Sequence, residues 1–132
     1  FVVKLCGAAI GHMSRRQHCI TLSSTEAELI AASEAAAEVM YYRKLLRDLG
    51  VEIDSPTKLY VDNSGAVELA RDRKSCHRSR HVDRRFFKVR ELEAMGVVRV
   101  KHIPTADNRA DLLTKALPIE SFRRHRAALM RV

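Results

Sequence analysis

The chain has 132 residues, room for one modest core, so a single domain spanning 1–132 is expected. Its 46% hydrophobic and 30% charged content are ordinary for a soluble globular protein, and a net charge of +8 points to a polyanionic partner, nucleic acid before an anionic membrane. No apolar run reaches the roughly 18–20 residues of a spanning helix and no secretory pattern opens the sequence, so an intracellular protein is expected. Cys6, Cys19 and Cys76 include no C-x-x-C pair, which argues for buried free thiols rather than a disulfide framework.

Phe1 to Cys6 is a β-prone run, and Gly7 turns it into a second strand at Ala8 to Gly11, giving a hairpin. A polar tip at Arg15 to His18 leads into a long helix from about residue 24 to Leu49. Ser23 and Glu26 fit a capping box at its start, and Gly50 ends it. Its apolar face is Leu29, Ala32, Ala36, Val39, Leu46 and Leu49. Lys58 to Asp62 reads as a strand after the Asp54-Ser55-Pro56 turn, and Ser64 to about Arg71 as a short helix. Asp72 to Arg80 is basic and irregular, a helix from about Val82 to Met95 ends at Gly96, and Val97 to His102 is a strand stopped by Pro104. Asp107 is placed to cap a late helix, and Ser121 to Val132 forms a basic final one. Strands alternating with helices define an α/β layer arrangement.

Three acids stand out. Glu28 lies beside the apolar stripe of the long helix, whereas Glu26, two residues earlier, points roughly 200° away and has the capping role. Asp62 ends a strand, where it is either a ligand or an N-cap. Asp111 opens a helix, where it is either a ligand or a charge opposing the helix dipole.

Four ordered motifs carry a resemblance: Leu22 to Ala35, with Glu28-Leu29 followed by Ala31; Tyr60-Val61-Asp62-Asn63-Ser64-Gly65-Ala66; His81-Val82-Asp83; and His102 to Leu117. On them the chain resembles the ribonuclease H domain of the Pol polyprotein of Ty/copia-type retrotransposons. The resemblance implies a ribonuclease H-like mixed sheet with flanking helices, and hydrolysis of RNA in RNA/DNA hybrids during reverse transcription. It implies Glu28, Asp62 and Asp111 as catalytic carboxylates holding Mg²⁺ or Mn²⁺, and His102 as a proton-handling residue, though a plain strand-end histidine reads equally well. Two such ions about 4 Å apart activate water and neutralise a leaving oxygen, and hard cations want carboxylate donors. Its implied partners are the hybrid and the upstream reverse transcriptase region, in a cytoplasmic retrotransposon particle or the nucleus. The family's first strand, central in its sheet and carrying a further catalytic aspartate, has no counterpart, since no acid precedes Glu26. The expected consequence is an N-terminally truncated fold with two sheet halves, a metal site short of a ligand, and impaired activity. The rival expectation is a catalytically dead, basic nucleic-acid-binding remnant of Pol.

Arg71, Arg73, Lys74, Arg78, Arg80, Arg84, Arg85, Lys88 and Arg90 crowd one region with few acids, which suggests a surface for the sugar–phosphate backbone. Asn63 and Ser64 join Arg73, Lys74, Arg78, Arg80, Arg84 and Arg85 as expected nucleic-acid contacts. Cys76, His77 and His81 have no clear fourth partner for zinc.

Overall fold

The computed structural model describes residues 1–15, 24–71 and 80–130, with the side chains of 80–86 outside that description. Strands β1 (Val2–Leu5) and β2 (Ala8–His12) form an antiparallel hairpin. Its two-residue turn has φ of 49° at Cys6 and 88° at Gly7. Positive φ at both central positions suits the right-handed strand twist, and glycine adopts it without penalty. Gly11 leaves room for a side chain: a Cβ there would lie 2.5 Å from the Tyr42 hydroxyl, which donates to the Ile10 carbonyl at 3.2 Å, so a larger residue would displace that ring.

Helix α1 (Ser24–Asp48) ends in a Schellman motif, with Gly50 N–H donating to Arg47 O and Val51 N–H to Leu46 O, both at 2.9 Å. Strand β3 (Thr57–Val61) then leads into α2 (Ser64–Arg71). Helix α3 (Arg80–Ala94) ends in a second Schellman motif at Gly96, followed by β4 (Val98–His102). Strands β3 and β4 are parallel, Thr57 opposite Val98 and Val61 opposite His102. Two 3-10 turns, Thr105–Asp107 and Arg109–Leu113, precede α4 (Ile119–Met130). No helix of the described residues is long and apolar enough to cross a membrane.

The core lies on one face of the parallel pair. Leu59, Val61, Val98 and Val100 point inward against Leu29, Ala32, Ala36 and Val39 of α1, Ala66, Val67 and Ala70 of α2, and Val89 and Leu92 of α3. Alanines let α1 approach the strands closely. Helix α4 packs instead on the second 3-10 turn and β2, and Lys4 Nζ donates to Ala128 O at 2.7 Å.

The architecture is mixed α/β, with small sheets and four helices, and is compatible with a ribonuclease H-like fold. The hairpin and the parallel pair are separate two-stranded sheets, and among the described residues no strand joins them. Leu49, expected in the core, follows the last residue of α1 and is 70% exposed. Arg43 is buried in that stretch, donating to Ser55 O at 2.8 Å, Thr57 Oγ1 at 3.0 Å and Ile53 O at 3.5 Å. Cys6 is exposed at the hairpin turn rather than buried. Ser23, Cys19 and Cys76 lie outside the described residues.

Candidate active site

Glu28 sits in the second turn of α1, half-buried at the edge of the core. Asp62 follows the last residue of β3. The cap of α2 is its neighbour Asn63, whose Oδ1 accepts from Ala66 N at 3.1 Å. Asp62 is therefore free of the capping role. The Asn63 Nδ2 donates to Thr25 Oγ1 at 3.3 Å, which fastens the end of β3 to the first turn of α1. That bond places Asp62 and Glu28 in one neighbourhood.

Asp111 belongs to a 3-10 turn rather than an α-helix, and its cap is Asn108, not Asp107: Asn108 Oδ1 accepts from Ala110 N at 3.1 Å. Asp107 instead faces Arg124 at 3.9 Å. Asp111 is 7% exposed, and both its carboxylate oxygens are engaged. Oδ1 accepts from Asn108 Nδ2 at 3.2 Å and Oδ2 from Lys115 Nζ at 2.8 Å. Ser14 Oγ donates to Leu113 O at 2.8 Å, tying this turn to the chain leaving β2.

The electrostatics join these pieces. Burial pushes the Glu28 carboxyl above its ordinary value, and the charges of Asp62 and Asp111 push it further, against the pull of Lys115. The hydrogen bond to Asp111 raises the Lys115 ammonium, with Asp62 and Glu28 adding to the effect. Three carboxylates and one lysine thus share a field at the C-terminal end of β3. The donors are of the kind a hard divalent cation takes. Among the described residues, however, no group of three or more acids, histidines or cysteines is close enough together to hold an ion.

His102 is exposed at the end of β4, and its backbone is paired with Val61, beside Asp62. Ser64 is exposed at the start of α2, whereas both ends of the Asn63 amide are used internally. Arg80, Arg84 and Arg85 lie on α3 with side chains outside the description, and Arg73, Lys74, Arg78, Cys76 and His77 lie outside the described residues. Arg71 stays exposed but donates to Val100 O at 2.5 Å, with its Nε 3.9 Å from Glu93 Oε1. Lys88 faces Glu91 at 3.6 Å. Sequence reasoning passed over Lys115, whose only signal was its position four residues after Asp111.

An α/β chain in which the charges of Asp62 and Asp111 bear on a half-buried Glu28 is the class of protein these features define. Over 122 residues, 92% of its length, the chain is 34% identical to a retrovirus-related Pol polyprotein from transposon TNT 1-94 of Nicotiana tabacum. It is 32% identical over the same extent to the retrovirus-related Pol polyproteins from transposons RE2 and RE1 of Arabidopsis thaliana. The chain spans only 8% to 9% of the length of these relatives. Its homologues are thus retrotransposon Pol polyproteins. No protein-family model matches the chain, and no solved structure does.

Proposed function

We propose that this chain is the ribonuclease H-type part of a retrotransposon Pol protein, cleaving RNA in RNA/DNA hybrids with Mg²⁺ or Mn²⁺ held by Glu28, Asp62 and Asp111. The observation that supports this reading is that Asp62 and Asp111, from two other elements, lie near enough for their charges to raise the carboxyl of Glu28. Bound ions would supply an activated water and neutralise the leaving oxygen. The chain's own residues would position the ligands: Asn108 orients Asp111, and Asn63 fixes the strand end bearing Asp62. His102, next to that strand end, would move a proton at its imidazole. In this reading the rest of the Pol chain provides a further carboxylate and a strand between the two sheets.

One observation favours the alternative, a basic nucleic-acid-binding remnant. The ammonium of Lys115 already supplies a positive charge to Asp111, and among the described residues no three ligands converge. The test is cleavage of labelled RNA in an RNA/DNA hybrid, with Mg²⁺ or Mn²⁺, by the wild type, Glu28→Gln and Asp62→Asn. Cleavage lost in either variant supports the nuclease. A folded chain that binds the hybrid yet leaves it intact, even when joined to the preceding Pol segment, favours the remnant.

A further inference from the structure

The two faces of the parallel pair differ in chemistry. Leu59, Val61, Val98 and Val100 point into the core, and Lys58, Tyr60, Arg99 and Lys101 point the other way, all exposed. The register sets Lys58 beside Arg99 and Tyr60 beside Lys101. Adjacent strands lie about 4.8 Å apart and alternate residues along a strand about 6.6 Å apart, so the four side chains form one compact patch. Like charges side by side on a sheet oppose folding. Among the described residues, no carboxylate pairs with any of these three cations.

Parallel strands are usually covered on both faces. Three cations make an apolar cover unfavourable here, because it would desolvate them without a partner. An anionic occupant meets them instead. Tyr60, 52% exposed, adds a flat ring that phosphate groups alone would not use. In a duplex the base faces are stacked on one another, whereas a single strand can offer one to such a ring.

We propose that this face is a platform for single-stranded nucleic acid, with backbone phosphates on Lys58, Arg99 and Lys101 and a base stacked on Tyr60. The platform does not depend on hydrolysis at the carboxylates. It lies along β3, and the strand runs from it toward Asp62.

The test is fluorescence anisotropy with a labelled single strand of about 12 nucleotides, and with the same sequence as a duplex, across a salt series. Each phosphate contact on a single strand contributes a slope of about 0.7 in log affinity against log salt. The triple variant Lys58→Gln, Arg99→Gln, Lys101→Gln is expected to lower the slope by about 2. Tyr60→Ala is expected to weaken single-strand binding about fivefold or more and to leave duplex binding unchanged. An unchanged slope in the triple variant overturns the proposal, as does equal loss of duplex and single-strand binding in Tyr60→Ala. Should the triple variant fail to fold, amide shift mapping on the wild type decides. Shifts at Lys58, Tyr60, Arg99 and Lys101 on adding the single strand support the platform, and shifts confined to other residues overturn it.

Discussion

Glu28 carries its charge at a cost. Burial first, then Asp62 and Asp111, raise its pKa above the ordinary 4.5. An acid whose folded pKa is raised binds protons more readily when folded, so stability falls as pH climbs from 4.5 through the folded value. Above that window the full cost is present. Glu28→Gln is therefore expected to raise the thermal midpoint at neutral pH by about 2 °C, with the gain fading as the pH falls from the folded value toward the ordinary carboxyl value and absent below it. Calorimetry of both proteins at the two pH values checks this, and a lower midpoint at neutral pH would contradict it. Lys115→Met leaves Asp111 buried with one donor fewer, and should cost about 1 kcal/mol in urea denaturation. If the carboxylates take divalent ions, Mn²⁺ should raise the midpoint of Lys115→Met more than that of the wild type. Equal shifts would show that the ammonium does not compete with the ion. The three acids were legible in the sequence because each sits in a motif with a defined place along the chain. Lys115 was passed over, although its place four residues after Asp111 is the spacing that sets a lysine beside a carboxylate.

Among the elements, the helix ends were the clearest features of the sequence. Gly50 and Gly96 have φ of 81° and 68°, and each permits a left-handed stop that other residues resist. Which residue caps a helix start was harder to see. Asp107-Asn108 and Asp62-Asn63 each offer two candidates, and in both pairs the asparagine caps while the aspartate stays clear of that role. An amide can accept from the helix N–H and also donate elsewhere, and Asn63 and Asn108 both do so. Asn63→Ala should accordingly destabilise the fold by about 1 kcal/mol or somewhat more, since it loses both the cap and the tie to Thr25. A thermal midpoint equal to wild type would mean that Ser64 takes over the cap. The burial of Arg43 in place of Leu49 was not legible, because it depends on where the loop carbonyls of Ile53 and Ser55 fall. Helical periodicity gives a face, but does not tell where along that face the strands stop.

Across the whole molecule, the two sheets are unequal. The parallel pair has Leu59, Val61, Val98 and Val100 buried, while no residue of β1 or β2 is fully buried. A hairpin without a buried face is marginal on its own. Amides of Val2–Leu5 should therefore exchange with solvent at least about tenfold faster than those of Leu59–Val61. Equal protection would mean that both sheets open as one unit. Leu92→Ala, at the centre of the three-helix packing, should cost about 3 kcal/mol in chemical denaturation. The parallel pair also has a consequence in time. Every pairing in it joins residues about forty positions apart, and a ribosome adds roughly 5–20 residues per second. For roughly 2–8 s during synthesis, β3 exists without β4. In that interval the nascent chain can shield Leu59 and Val61 only with helices, α1 first and then α2 and α3, so a stall before Val98 leaves a strand with its pairing edge open within reach of chaperones and proteases.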